Sequence, residues 1–186
     1  MGNSSVCPWW LGYLLASPIR KLINNPEKML GKYLKPGMRV VDYGSGMGYF
    51  SLPMARMVGS SGKVYCFDIQ VKMLEHLAQR AARAGLGNII EPRLILPGII
   101  EQEGLNPPAD FALLFAVAHE VPDRKRLFRE LACMLRPQGL LLFSEPKGHV
   151  SMKDFEESIY FAVKAGFKRA DVPQDPESLT VLLEKI

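Results

Sequence analysis

The chain has 186 residues, of which 48% are hydrophobic and 23% are charged, and its formal net charge is +4. A chain of this length buries about two-thirds of its unfolded surface, so we expect a single domain over residues 1–186. The apolar runs are shorter than the roughly 20 residues that span a bilayer, and the basic residues are interspersed with acids. These features argue against a membrane protein and against a nucleic-acid-binding protein.

The cysteines and the first residues bear on the cellular compartment. Cys7, Cys66 and Cys133 are odd in number and far apart in the sequence, which argues against a disulfide framework and against a zinc site made of cysteines alone. The first twenty residues have no basic segment before their apolar part, so we expect no signal peptide. The expected location is the cytoplasm.

Strand and helix patterns alternate after residue 37. Residues 38–43, 62–69 and 88–95 are rich in β-branched and aromatic side chains and are predicted to be the first three strands. A helix is predicted over residues 49–59. A second helix is predicted over residues 71–84, ending before Gly85. Its inward face is expected to contain Val71, Leu74, Leu77, Ala78 and Ala81.

The second half of the chain continues the alternation. Residues 109–121 are almost continuously apolar, which is typical of a parallel strand covered on both faces, and residues 140–146 form the fifth predicted strand. Between them lies a helix, and another follows the capping box of Ser151 and Asp154. The inward faces of these two helices are expected to contain Leu127, Phe128, Leu131 and Leu135, and Phe155, Ile159 and Val163, respectively.

The chain finishes with two strand patterns, residues 167–174 and 178–186, which have no helix between them and are expected to pair antiparallel. The predicted fold is therefore α/β, a Rossmann-like doubly wound seven-stranded sheet that is mostly parallel with an antiparallel C-terminal strand. Residues 37–186 form this core, and residues 1–36 precede it as a helical extension or lid.

A glycine-rich loop follows the first strand. Gly44, Gly46 and Gly48 alternate with other residues directly after Asp42, as expected where a backbone turns tightly and approaches a ligand. The dinucleotide fingerprint G-x-G-x-x-G would require glycine at Tyr49. A carboxylate at position 42 would also repel a pyrophosphate, whereas it favours a cationic, ammonium-bearing ligand.

The pattern Asp42-x-Gly44-x-Gly46-x-Gly48, followed by Asp68 at the end of the second strand, resembles the class I S-adenosylmethionine-dependent methyltransferases. The likeness runs from about residue 25 to the end. The stretches DFALLFAVAHEVPD and LRPQGLLLFSEP resemble the small-molecule branch that is related to ubiquinone-biosynthesis methyltransferases. The resemblance implies S-adenosyl-L-methionine as cofactor and a small-molecule acceptor. The cofactor-binding residues that it implies are Asp42, Gly44, Ser45, Gly46, Gly48, Asp68, Ile69, Leu96 and Phe115.

Within that resemblance, Asp42 lies near the amino group of the cofactor and Asp68 binds the ribose hydroxyls. The family commonly has an acid after the third strand that contacts adenine, but this region reads LILPGII. Adenine recognition is then left to backbone groups and to apolar contacts from Ile69 and Leu96. Two alternatives remain: a non-catalytic cofactor-binding or interaction protein, and a nicotinamide-dependent oxidoreductase, which the glycine spacing disfavours.

Ionisable side chains follow the fourth and fifth strands. They are His119, Glu120, Glu145, Lys147 and His149. In one interpretation His119 is a general base, which Glu145 or His149 orients or complements by binding substrate. In another, His119, Glu120, Glu145 and His149 bind a divalent metal, which is the least favoured interpretation. In the third, His119 caps a local element while Glu145 pairs with Lys147 or Arg20.

The amino-terminal segment is expected to cover the acceptor pocket. Trp9, Trp10 and Tyr13 could shape an aromatic site, and Arg20 could bind an anionic acceptor or the carboxylate of the cofactor. Alternatively, this segment packs on the sheet or on a second copy in a homodimer. Cys7 is either a ligand for a soft acceptor such as arsenic or a buried thiol.

Overall fold

The computed structural model describes residues 25–96, 105–170 and 179–186. Its helices are α1 (Pro26–Leu30), α2 (Ser51–Val58), α3 (Val71–Arg83), α4 (Arg124–Met134) and α5 (Met152–Lys164). Its strands are β1 (Arg39–Tyr43), β2 (Lys63–Asp68), β3 (Ile90–Leu94), β4 (Ala109–Phe115), β5 (Leu135–Ser144), β6 (Phe167–Arg169) and β7 (Thr180–Lys185). A 3₁₀ turn, Ala118–Glu120, lies between β4 and α4.

The described strands form one seven-stranded sheet of order β3-β2-β1-β4-β5-β7-β6. The pairs β1–β2, β2–β3 and β4–β5 are parallel, whereas β7 is antiparallel to both β5 and β6. This arrangement confirms the predicted fold class, including the antiparallel end of the sheet. Within the described ranges, no helix combines the length and the apolar character that crossing a bilayer requires.

The chain divides into two compact units, so the single domain stays a prediction. The described part of the first unit, residues 25–96, contains β1, β2 and β3. Val40 and Val41 on β1 and Val64 and Cys66 on β2 are fully buried. Successive residues are buried because α2 and α3 supply apolar side chains to a parallel sheet, as expected for strands of this class.

The second unit contains β4 to β7 with α4 and α5. Its core includes Phe143 of β5, whose ring centroid lies 5.4 Å from that of Phe128 and 5.0 Å from that of Phe155. Ser151 caps α5 as predicted, because its hydroxyl accepts a hydrogen bond from the amide of Asp154 at 3.1 Å. Aromatic packing and this cap fix α5 against β5.

Two predicted helix faces are partly wrong. Val71 and Ala78 of α3 are exposed, and Met73 is buried instead. At 100° per residue, Val71 and Ala78 lie about 100–120° away from Leu77, on the flank of the buried stripe. In α5, Val163 is 47% exposed and Ala162 is buried. The buried stripe is centred between Phe155 and Ala162. Around the helix axis Ile159 lies at the edge of this stripe, and Val163 lies beyond Ile159.

The boundary between α4 and β5 also differs from the prediction. Leu135 is the first residue of β5 and not part of the face of α4. The register joins Ala109 to Leu135 and Phe111 to Leu140, so residues 136–139 are an irregular insertion in β5. Gln138 adopts a positive φ of 62° within this insertion. Pro137 and Gly139 favour a break between the helix and the strand, but the backbone pairs with β4 on both sides of them.

Candidate functional site

The glycine loop begins where β1 ends and is fastened to β2. The amides of Gly44 and Ser45 both donate to the carbonyl of Phe67, at 2.8 and 2.9 Å. Gly44, Gly46 and Gly48 have φ values of 78°, 52° and 82°, in the left-handed region that side chains disfavour. All three glycines of the motif are therefore required by the backbone path.

Gly48 and Gly46 serve different purposes in this loop. A Cβ atom on Gly48 would lie 2.2 Å from Cδ1 of Leu77 and 2.7 Å from Cδ1 of Leu52, so Gly48 allows the loop to pack on α3 and α2. A Cβ atom on Gly46 would have no atom of the described residues within 4 Å. The loop thus faces packed side chains at Gly48 and open space at Gly46.

Asp68 joins the end of β2 to this loop. Its Oδ2 accepts a hydrogen bond from the amide of Gly46 at 2.9 Å, and its Oδ1 accepts one from the amide of Gln70 at 2.8 Å. Burial raises the pKa of the Asp68 carboxyl, while the amides of Gln70, Gly46 and Ile69 act in the opposite direction. A carboxylate has about four acceptor sites, so Asp68 retains acceptor capacity beyond these amides.

Asp42 lies beneath the loop and is almost fully buried. Its Oδ2 accepts a hydrogen bond of 2.5 Å from the hydroxyl of Ser51, the first residue of α2. Asp42 pairs in register with Cys66, whose pKa is raised by burial and additionally by the charge of Asp42. The residue pattern predicts a role for Asp42 but none for Ser51, although the position of Ser51 at the start of the helix after the loop is a usable signal.

A second contact that the sequence did not reveal comes from α3. The guanidinium of Arg80 donates to the carbonyl of Met47, between the last two glycines of the loop. Partial burial lowers the pKa of Arg80. Arg80 follows Leu77 by three residues, so one face of α3 holds the loop both by packing and by a hydrogen bond.

Apolar side chains lie exposed after β2 and near the end of β3. Ile69 is 46% exposed and Leu96 is 47% exposed, and Val71 and Leu94 are exposed as well. Residues 97–104 lie outside the described residues, so the remainder of LILPGII is not assigned. Phe115 is the last residue of β4 and belongs to the second unit.

Ser45 carries a polar atom that is left unsatisfied. Its hydroxyl is buried and has no hydrogen-bond partner among the described residues. Buried hydroxyls are usually paired, because leaving one unpaired costs about 1–3 kcal/mol. An unpaired hydroxyl next to the open space at Gly46 fits a loop that binds a polar ligand.

His119 and Glu145 form a hydrogen-bonded pair in the second unit. Nδ1 of His119 lies 2.6 Å from Oε2 of Glu145, and the amide of His119 donates to Oε1 of Glu145 at 3.1 Å. The Glu145 side chain is 2% exposed, whereas that of His119 is 27% exposed. The hydrogen bond to Glu145 raises the pKa of His119; partial burial opposes it, and the charges of Glu145 and Glu120 add to it.

The two strands that lead to this pair are held in a fixed register. Phe115 pairs with Ser144, so the segments after β4 and β5 start side by side. Ala116 has a φ of 57°, which is strained for alanine, and its amide donates to the carbonyl of Ser144 at 2.8 Å. The amide of Glu145 donates to the carbonyl of Leu179 at 2.8 Å. Backbone bonds therefore fix both members of the pair.

The other predicted residues surround the pair less closely. Nε2 of His119 lies 4.0 Å from Oε1 of Glu120, and the rings of His119 and His149 are 6.5 Å apart. In the part of the chain that the structure describes, no group of three or more His, Cys, Asp and Glu side chains is arranged to hold a metal ion. The metal interpretation of these four residues gains no support. Lys147 is exposed, and Glu145 bonds to His119.

The predictions for the amino-terminal lid concern residues outside the described ranges. They involve Cys7, Trp9, Trp10, Tyr13 and Arg20. The described ranges begin at residue 25.

Comparison with known proteins identifies the family. A family model described as a methyltransferase domain matches residues 34–169. The chain is 30% identical over 155 residues to an arsenite methyltransferase of Aquipseudomonas alcaligenes, covering 77% of this chain and 43% of that protein. It is 29% identical over 161 residues to a ubiquinone/menaquinone biosynthesis C-methyltransferase of Hahella chejuensis, covering 82% of this chain and 61% of that protein.

The chain thus spans about half of the length of these two relatives. Among solved structures, a SAM-dependent methyltransferase from Aquifex aeolicus superposes with a TM-score of 0.78 at 24% identity, covering 97% of this chain and 98% of that one. This likeness supports the fold, and the family match extends over most of the chain. The chain belongs to the methyltransferase domain family.

Proposed function

We propose that the chain catalyses the transfer of a methyl group from S-adenosyl-L-methionine to a small-molecule acceptor. S-adenosyl-L-methionine supplies a methyl group on a positively charged sulfur, which an acceptor takes in an in-line displacement. The contribution of the protein is mainly to hold and orient the reactants. Membership of the methyltransferase domain family supports this proposal.

The observation that carries the proposal is the arrangement of Asp68 with the glycine loop. The amide of Gly46 holds one oxygen of Asp68, while no described residue fills the position of the missing Cβ atom of Gly46. A ligand can therefore approach the backbone and the carboxylate together, as a ribose with two hydroxyl donors requires. The unpaired hydroxyl of Ser45 offers a further polar contact.

The remaining cofactor contacts are assigned in the proposal as follows. Gly44, Ser45, Gly46 and Gly48 line the methionine part, and the charge of Asp42 favours its ammonium group. The exposed side chains of Ile69 and Leu96 provide apolar surface for adenine. Phe115 is proposed as a further cofactor contact on the resemblance alone.

On the acceptor side, the proposed catalytic residues are His119, Glu120, Glu145 and His149. Their support is the hydrogen bond between His119 and Glu145, with Glu120 and His149 as neighbours. An imidazole whose pKa is raised by a buried carboxylate is suited to proton transfer near neutral pH.

Further parts of the proposal concern the setting. We place the protein in the cytoplasm, because Cys66 and Cys133 are free thiols, as is usual in a reducing compartment. A single domain, an acceptor other than nucleic acid, and a homodimer formed through the amino-terminal segment stay predictions. Cell fractionation and sedimentation velocity test the location and the dimer.

Isothermal titration calorimetry tests the proposed function. S-adenosylmethionine and S-adenosylhomocysteine should bind, whereas NAD should not. Binding of NAD without either adenosyl compound would refute the proposal in favour of an oxidoreductase. Binding of both adenosyl compounds without release of S-adenosylhomocysteine in the presence of any metabolite would favour a non-catalytic binding protein.

Asp68→Ala tests the central contact. The variant should weaken adenosyl binding by about 1–3 kcal/mol, because charge-assisted hydrogen bonds to the ligand are lost. Glu75→Ala removes an exposed carboxylate from α3 and serves as the matched control. Equal affinity of the two variants would show that Asp68 does not hold the ribose.

A further inference from the structure

The acceptor of the proposed reaction is constrained by the way in which Glu145 holds His119. Both carboxylate oxygens of Glu145 contact His119, one at the backbone amide and the other at Nδ1, at 3.1 and 2.6 Å. With its side chain 2% exposed, Glu145 is not accessible to an acceptor. Among the described residues, the hydrogen bonds of the Glu145 side chain are both with His119.

This contact determines the tautomer of the imidazole. A carboxylate only accepts hydrogen bonds, so Nδ1 of His119 carries a proton and donates a hydrogen bond to Oε2 of Glu145. In the neutral ring Nε2 is then unprotonated and is the basic nitrogen. The side chain of His119 is 27% exposed, and Glu120 lies too far from Nε2, at 4.0 Å, for a hydrogen bond.

We propose that His119 accepts a proton from the methyl acceptor at Nε2, that Glu145 is the positioning residue for this step, and that the acceptor is a hydroxyl or amine compound. This inference rests on the proposed function and specifies its acceptor class. A phenol hydroxyl and the ammonium form of a primary amine both have pKa values of about 10, so each holds a proton at neutral pH that a base must remove during or before attack on the methyl group.

The step balances as follows. The lone pair of the acceptor oxygen or nitrogen forms the bond to the methyl carbon while the bond from that carbon to sulfur breaks, and S-adenosylhomocysteine is released. The proton of the acceptor moves to Nε2 of His119 and then to water. The carboxylate of Glu145 keeps its hydrogen bond from Nδ1 and stabilises the imidazolium that forms.

Thiol and arsenite acceptors are disfavoured by the same group. A thiol ionises near pH 8.5, and its thiolate is nucleophilic without a base. An imidazole that is fixed in place as a base would therefore accelerate methylation of a thiol only slightly. Soft acceptors such as arsenic bind through thiolates. Among the described residues, the ion-pair and ring contacts of the His119 side chain are with Glu145, Glu120 and His149, none of which offers a sulfur ligand.

The tautomer is measured directly by two-bond ¹H–¹⁵N correlation spectra of the imidazole groups in the full chain. We expect His119 above its pKa to carry its proton on Nδ1. Glu145→Gln should lower the pKa of His119 and mix its tautomers, whereas His149→Asn, the matched control, should leave the Nδ1 tautomer in place. A wild-type His119 protonated on Nε2, or an unchanged pKa in Glu145→Gln, would overturn the assignment to Glu145.

The acceptor class is tested by release of S-adenosylhomocysteine from enzyme offered catechol, a primary amine, a free thiol or arsenite. We expect turnover with catechol or the amine, and a loss in kcat of about 100-fold or more in His119→Ala with unchanged affinity for S-adenosylmethionine. The pH profile should rise through the pKa of His119, and this limb should move to lower pH in Glu145→Gln.

Turnover confined to the thiol or arsenite, or absent with all four probes, would overturn the acceptor class. If calorimetry detects adenosyl binding in that case, the proposed function survives and the inference alone fails. If no adenosyl compound binds, the proposed function fails, while the spectra still decide whether Glu145 sets the tautomer of His119.

Discussion

Replacement of Gly48 and of Gly46 by alanine should separate the packing of the glycine loop from its ligand binding. The two glycines lie two residues apart and both have positive φ, at 82° and 52°. A Cβ atom on Gly48 meets Leu77 and Leu52 at 2.2 and 2.7 Å, whereas one on Gly46 meets no atom within 4 Å in the part of the chain that the structure describes. The two variants therefore share the backbone strain and differ in what the new methyl group contacts.

The expected losses of stability follow from these contacts. An alanine in the left-handed region costs about 1–2 kcal/mol, and the reduced freedom of the unfolded chain offsets about 0.4–1 kcal/mol of it. Overpacking against Leu77, which is fully buried, adds about 1–3 kcal/mol in Gly48→Ala. We therefore expect a decrease in the free energy of unfolding of about 3 kcal/mol for Gly48→Ala and about 1 kcal/mol for Gly46→Ala.

Urea unfolding and calorimetry with S-adenosylhomocysteine measure the two effects. Gly46→Ala should weaken binding by at least about tenfold, because its methyl group enters the space through which a ligand approaches the backbone. The melting temperature of Gly48→Ala should lie roughly 6–12 °C below that of the wild type, which is a larger decrease than in Gly46→Ala. Equal destabilisation of the two variants would refute the packing argument, and wild-type affinity in Gly46→Ala would refute the assignment of the open side of the loop.

The remaining predictions concern charged groups. Asp68→Asn should lower the free energy of unfolding by about 1–3 kcal/mol in urea titrations. Both oxygens of Asp68 accept hydrogen bonds from backbone amides, so in the variant the side-chain NH₂ group must face one of these N–H donors. Arg80→Ala should weaken adenosyl binding in calorimetry, whereas Arg83→Ala, on the exposed face of the same helix, should not. The raised pKa of His119 stabilises the fold fully below about pH 6.5 and loses this effect as the pH rises through the folded-state pKa. Urea midpoints from pH 6 to 9 should show this slope in the wild type and a flatter one in Glu145→Gln; identical slopes would contradict it.

The strands and the α/β class could be predicted because their signals are local. Continuous apolar runs such as residues 109–115 identify buried parallel strands. The last two strand patterns have no helical pattern between them in the sequence, which predicts the antiparallel pairing that β6 and β7 show. The helix faces were less certain, since apolar side chains on the flank of a stripe are indistinguishable in sequence from those at its centre. Val71 and Met73 illustrate this: both are apolar, yet the axial rotation of α3 exposes one and buries the other.

The candidate site shows the same division between local and long-range information. The glycine loop and Asp68 were identified because their spacing is a chain property. The bond from Ser51 to Asp42 and the bond from Arg80 to Met47 depend on helix rotation and rotamers, which no spacing encodes. The resemblance implies that His119 and Glu145 follow neighbouring strands, but the sequence alone leaves Glu145 open as a partner of His119, a metal ligand, or an ion-pair partner of Lys147 or Arg20. The register of Phe115 with Ser144 brings Glu145 to His119, and only the structure provides it.

Both units keep features at the ends of their strands that lower stability. In the first, Asp68 is buried with a raised pKa, and the hydroxyl of Ser45 lacks a partner among the described residues. In the second, Ala116 holds a strained φ of 57°. Such features cost about 1–3 kcal/mol each and persist where the surrounding structure enforces them. A glycine in place of Ala116, a hydrogen-bonded partner for Ser45 or an apolar side chain in place of Asp68 would remove these penalties. Because the penalties persist at the strand ends, they favour ligand binding over a purely structural role for both regions.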